Sequence, residues 1–222
     1  MNYTIVRQKR KNVAIHVGKD GRVEVRAPLN CPAQEIARIV DANAEWIAQH
    51  QQEMRLRSER ALQLPESLRV LGEDFPTSPS PDSYVHLYLA QKRAYLPQNI
   101  PAAQVRSAVV ECYRQLAKSR LPDRVRTLAA RFGLTYGRVT VKNMVSRWGS
   151  CSSQGNLNFS LYLMMASPAA IDSVIIHELM HLIQPNHSPE FRRLERENTP
   201  DCDACRRELA ELALYLRREG WA

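Results

Sequence analysis

His177 and His181 stand four residues apart in the run HELMH, with Glu178 directly after the first. On an α-helix that spacing brings both imidazoles to one face, about one turn apart. Two imidazoles so placed can bind one Zn²⁺, and the carboxylate between them can hold the attacking water. The third ligand has to come from elsewhere. His187 is positioned to supply it once Pro185 has stopped the helix and turned the chain back. Three protein ligands leave a fourth position for water, the catalytic rather than the structural form of a zinc site. The same imidazoles also suit Mn²⁺, Co²⁺ or Ni²⁺.

Such a group hydrolyses bonds. Zn²⁺ lowers the pKa of its bound water toward ~7 and polarises the oxygen under attack, while Glu178 takes the proton and passes it to the leaving group. Charge developing on the attacked oxygen needs a second stabiliser. Arg147, on the strand before the zinc helix, is the first candidate, against the alternative of a surface or structural arginine; Asn158 is another candidate. Trp148 and Cys151 read as core residues.

The elements that must hold these residues are marked in the chain. Ser167 can cap the zinc helix and Pro168 suits its first position. Ile171, Val174, Ile175, Ile176, Leu179, Leu182 and Ile183 make the helix apolar nearly all round, so it lies inside the domain. There His177, Glu178 and His181 need a partner, which a metal provides. Upstream, Val13, Ile15 and Val17 alternate with polar residues, Asp20-Gly21 turns the chain, and Val23, Val25 and Ala27 alternate again: a hairpin. A helix follows from about Pro32 through Ile36, Val40 and Ile47. Leu68 to Phe75 and Tyr84 to Leu89 read as short strands around a loop of Pro, Ser and Thr from Pro76 to Pro81. Two helices follow Ala102, the second ending at Gly133. A strand through Val139, Val141 and Val145 leads to Arg147-Trp148-Gly149-Ser150-Cys151, and Asn156 to Leu163 returns. A last amphipathic helix carries Leu209, Leu212 and Leu216. The expected fold class is α+β, with a small N-terminal lobe of hairpin and helix over residues 1–99 and a hydrolase domain over 100–222.

Composition limits the alternatives. The 222 residues are 44% hydrophobic, enough for a real core, and no stretch approaches the ~20 apolar residues of a membrane span. The basic start has no apolar segment behind it, so neither a signal peptide nor an anchor is expected, and the cytoplasm is the expected compartment. Five scattered cysteines do not form a disulfide framework; Cys202 and Cys205 make a lone C-x-x-C. The net charge of +8 could attract nucleic acid, nucleotides or acidic peptides, but no nucleic-acid motif accompanies it.

Taken together, the chain resembles the YgjP-like metal-dependent hydrolases, metallopeptidases related to the SprT-like and WLM groups. The resemblance rests on Arg10-Lys11-Asn12 with Asp20-Gly21 and Val25-Arg26-Ala27-Pro28, on Glu45-Trp46-Ile47, on Arg147 to Cys151, and on HELMHLIQPNHSPEF. It implies a zincin-like C-terminal domain, zinc at His177, His181 and His187, and Glu178 as base. Gln184 stands where metzincins, which share the spacing, have the glycine of their turn, and Arg192 replaces the usual aromatic after Phe191. Peptide hydrolysis is the activity implied. Hydrolysis of a nucleoside triphosphate, notably UTP, is the alternative, and a zinc-stabilised binding module without catalysis is a third reading, which Glu178 opposes. An edge strand beside the metal would favour a peptidase, and a gathering of Arg and Lys there a nucleotide hydrolase.

Overall fold

A computed structural model describes residues 2–18, 20–61 and 64–221, with side chains of residues 57–61 left aside. Its chain is mixed α/β, with six helices and three small sheets among the described residues. It divides into two compact units, Met1–Gln63 and Leu64–Ala222. No helix among the described residues is long and apolar enough to cross a membrane.

The first unit holds β1 (Tyr3–Gln8), β2 (Ala14–Val17), β3 (Val23–Pro28), α1 (Ala33–Ala42) and α2 (Ala44–Ala61). β2 and β3 pair antiparallel with Ile15 opposite Val25 and Val17 opposite Val23, and Gly21 takes the positive φ of the turn. The basic opening stretch, in which no strand was expected, forms β1 and pairs parallel to β3. A small core of Val23, Val25, Ala27, Ile36, Val40 and Ile47 closes the unit. The single helix expected after Pro32 is two, divided at Asn43.

The second unit contains β4 (Ser67–Val70), β5 (Glu73–Ser80), β6 (His86–Tyr88) and β7 (Arg93–Pro97), in the order β4-β5-β7-β6. Much of the expected Pro, Ser and Thr loop is in fact the second half of β5. Its prolines are tolerated because Pro76 pairs with β4 alone and Pro79 with β7 alone, so neither has to bond on both edges. The sequence reading drew its boundary at residue 99. These strands instead share the core of the second unit through Leu68, Val70, Phe75, Ala94 and Leu96. The β4–β5 turn shows how closely they are seated: Leu71 and Gly72 donate backbone hydrogen bonds to the carbonyls of Met164 and Met165, and a Cβ on Gly72 would lie 2.9 Å from Ser167 Cα.

One continuous helix, α3 (Ala102–Phe132), stands where two were expected. Pro122 lies inside it, and the buried series Val109, Tyr113, Ala117, Leu121, Val125 and Leu128 runs past the proline without losing phase. Packing of that stripe outweighs one lost backbone bond. Gly133 ends the helix in the left-handed conformation, with Gly133 and Leu134 donating to Ala130 and Ala129. β8 (Val139–Lys142), β9 (Gly149–Cys151) and β10 (Leu157–Ser160) follow, in the order β8-β10-β9, with β10 parallel to β8 and antiparallel to β9. β8 is shorter than expected and leaves Val145 exposed; the expected return strand ends at Ser160, and Leu161–Met165 forms a buried 3₁₀ turn. The chain closes with α4 (Pro168–Met180), α5 (Pro189–Asn198) and α6 (Cys202–Arg218).

Candidate metal centre

The helix α4 starts where its cap predicts. Ser167 Oγ accepts from the Ala170 N–H, Pro168 occupies the first turn, and Glu208 of α6 accepts from both the backbone N–H and the hydroxyl of Ser167. Ile171, Val174, Ile175, Ile176, Leu179 and Met180 are buried, each aliphatic side chain contributing roughly 1.5–3 kcal/mol by leaving water. Arg124 of α3 donates two hydrogen bonds to Asp172. The axis of the helix is therefore fixed from several sides before its polar residues are considered.

α4 ends at Met180, earlier than Pro185. Leu182, Ile183 and Gln184 tighten the chain by donating to Leu179, Met180 and Met180, and none of these residues has a positive φ, so glycine is not required at Gln184. Ile183, assigned by periodicity to the apolar face, lies beyond the helix and is exposed. Ser188 then caps α5 by accepting from the Phe191 N–H, with Pro189 in its first turn, and Gln184 Nε2 donates to Ser188 Oγ.

These turns bring His177, His181 and His187 together, with one ring nitrogen from each lying within 4.8 Å of the others. Nε2 of His177 and Nε2 of His187 are 3.2 Å apart. Two nitrogens on one tetrahedral ion with bonds of ~2.0–2.1 Å stand about 3.3 Å apart, so the pair fits a shared metal. His181 Nδ1 faces the Gln184 carbonyl at 3.2 Å, and a carbonyl can only accept, which puts the proton on Nδ1 and the lone pair on Nε2. His177 Nδ1 lies 2.8 Å from Glu195 Oε1 and is fixed the same way. Phe191, fully buried, packs on all three rings at centroid distances of 4.4–4.9 Å. The donor set therefore suits a borderline ion such as Zn²⁺.

Glu178 is only 5% exposed. Burial pushes its carboxyl up to about 7, against the pull of His177, Arg147 and the backbone N–H of Cys151. It lies directly on β9: a Cβ on Gly149 would be 2.6 Å from Glu178 Oε1. That contact explains the glycine in the Arg147–Cys151 stretch. Burial pushes His181 down as well, so its ring is held neutral, as a ligand must be.

Two cavities meet at this group. One, of about 770 Å³, is lined by Ser150 to Ser153, Gly155 and Leu182; the other, of about 440 Å³, by Trp148, Val174, Arg192, Glu195, Arg206 and Leu209. His177, Glu178, His187, Arg147 and Gly149 border both. Arg147 is exposed there and attracts Glu178. Asn158 lines neither cavity, and its Nδ2 donates to Ser150 Oγ across β10 and β9. Trp148 and Cys151 are partly buried against the main core.

Glu195 and Arg206 were missed by sequence reasoning. Burial alone would raise Glu195, but hydrogen bonds from His177 and Arg206 outweigh it and hold the carboxylate below its ordinary range. The available sign was an acidic residue four after Phe191, on the inward face of α5, a helix the sequence reading had not separated. Cys202 and Cys205 open α6 as free thiols, both raised by burial, and take part in no metal group among the described residues.

A buried helix bearing two histidines and a carboxylate, with a third histidine returned to it by a tight turn, is the donor pattern of metal-dependent hydrolases. Residues 11–212 match the YgjP-like metallopeptidase domain, and the chain belongs to that family. No curated protein and no solved structure is significantly similar to it.

Proposed function

We propose that the chain is a zincin-like metallopeptidase, with one Zn²⁺ held by His177, His181 and His187 and with Glu178 as general base. The observation that carries this reading is that β9 is an edge strand directly beside the histidines, with Glu178 seated on its Gly149. An extended peptide can pair with such an edge, which brings a backbone carbonyl to the metal group. The ion supplies Lewis acidity and makes water acidic near neutral pH. Glu178, buried and raised toward neutrality, takes the proton of the attacking water and returns it to the leaving amine. Glu195 orients His177 through Nδ1, and Arg147 is proposed to stabilise the oxygen on which charge develops.

A second reading, hydrolysis of a nucleoside triphosphate, is favoured by Arg147 and Arg192 at the smaller cavity. The non-catalytic binding module is disfavoured, because Glu178 is a buried carboxyl that borders both cavities, a costly position for a group with no chemical role. The odd number of cysteines supports a cytoplasmic setting. The decisive measurement is hydrolysis of unfolded protein and of a nucleoside triphosphate panel by zinc-loaded protein, beside Glu178→Gln with the same metal content. Peptide cleavage that falls about 10²–10⁴-fold in the variant is the expected result; triphosphate hydrolysis alone with the same dependence makes the second reading correct, and cleavage unaffected by the substitution removes Glu178 as base.

A further inference from the structure

Of the two cavities that meet at the histidines, the smaller has an unbalanced charge. Its walls are apolar where Trp148, Val174, Phe191 and Leu209 form them, and three arginines reach it: Arg147, Arg192 and Arg206. Arg206 is engaged, since it bonds both Glu195 and Asp203. Glu195, the carboxylate lining the cavity beyond Glu178, is in turn taken by His177 and Arg206. Arg192 is exposed and its side chain has no hydrogen bond or ion pair with any described residue, although its neighbour Arg193 is paired with Glu190 and Glu197. The Arg147 side chain makes no ion pair or hydrogen bond among the described residues and is attracted to Glu178. Arg192 thus brings an unpaired guanidinium to a pocket large enough for one side chain, beside Arg147, whose charge is shared with Glu178, and with Trp148, Val174 and Leu209 among its walls.

The two cavities do not share this character. Arg192 lines only the smaller one, while the larger is bordered by Ser150, Ser152, Ser153 and Gly155. Arg147 and Gly149 border both cavities, whereas Trp148 borders only the smaller and Ser150 to Ser153 only the larger, so a chain laid along β9 runs past both. It therefore meets Arg147 where the two cavities join and Arg192 on the side of the smaller one alone.

We propose that the smaller cavity is a specificity pocket for an acidic side chain of a peptide substrate, read by Arg192 and assisted by Arg147. The proposal rests on the peptidase reading. A carboxylate entering this pocket gains charge-assisted hydrogen bonds from a guanidinium fork, while its methylene stem lies against Trp148 and Leu209. An amide in the same place gains neither the charge nor the bidentate geometry.

The test separates recognition from cleavage. Zinc-loaded Glu178→Gln protein, which retains the histidines, is titrated with end-blocked peptides that differ only by Glu or Gln at each position along the chain. The pocket predicts that at positions on one side only, Glu binds on the order of ten-fold more tightly than Gln, the scale of one hydrogen bond to a charged group. The preference weakens as salt rises. Adding Arg192→Gln brings the ratio to about one, Arg192→Lys restores part of it, and Arg192→Glu inverts it, with zinc content serving as the check on folding. Equal binding of Glu and Gln peptides overturns the proposal, as does a preference that survives Arg192→Gln. Cleavage of peptides by the unsubstituted protein without any acid preference overturns this inference alone. Absence of cleavage with the Arg192-dependent preference intact overturns the peptidase reading and leaves the pocket standing.

Discussion

The two walls that bring the histidines together are held by different forces. On one side, α4 carries His177 and Glu178 and is surrounded by buried apolar side chains along its whole length. On the other, residues 181–195 carry His187 on exposed chain and are held by a helix cap, a Gln184–Ser188 bond, the Glu195–His177 bond and one buried ring, Phe191. Apolar packing spreads its stabilisation over many contacts, whereas each of these polar bonds contributes about 1 kcal/mol net. Damage to the first wall should therefore appear as unfolding. Damage to the second should appear as lost metal affinity in a chain that still folds.

The sharpest way to break this contrast is Ile175→Ala on α4. It should destabilise the protein by about 2–5 kcal/mol in urea unfolding, because the site is fully enclosed, while the molecules that remain folded bind zinc with unchanged affinity. A loss of affinity without loss of stability would reverse the assignment of the walls.

The pH dependence of the metal-free protein tests the first wall next. Glu178 is raised from about 4.5 to about 7 by burial, so between these values the unfolded chain has released the proton and the folded chain has not. Stability must then fall as pH rises through this window, by about 2–3 kcal/mol relative to Glu178→Gln, which has no such proton. Parallel stability curves for the two proteins from pH 4 to 8 would show that the carboxyl is solvated.

Glu195→Gln addresses the second wall. The amide can still accept from His177 but carries no charge, and zinc affinity should drop ten- to a hundredfold with little change in thermal midpoint. A large fall in the midpoint instead would make Glu195 part of the packing that holds the fold. The smallest effect is expected where β9 meets α4. Gly149→Ala sets a methyl against Glu178 and should cost about 1–3 kcal/mol in stability as well as slowing hydrolysis, and rate loss is the readout that distinguishes it from Ile175→Ala.

The same contrast explains what could be read in advance. α4 was legible because a cap, a proline, an apolar series and two histidines coincide within one helix, and local pattern is enough to specify it. Gly133 announced its helix end for the same reason. Glu195 was not legible, since its role depends on α5 folding back to place it against a histidine 18 residues earlier. The loop read from Pro76 to Pro81 misled, since Pro76 and Pro79 lie within β5, and Pro122 likewise sits inside α3, because tertiary packing and one-sided pairing remove the penalty that local rules assign proline. Where residues 64–99 belong was not legible either, as short strands give no sign of which core they will join.

The β4–β5 turn has a consequence for how this protein can be cut and recombined. Its backbone amides bond the chain just before α4, and Gly72 packs on the residue that caps that helix. Any transplant of the second unit into another polypeptide has to begin near residue 64, because a graft starting at 100 would leave behind the piece against which the histidine-bearing helix is seated.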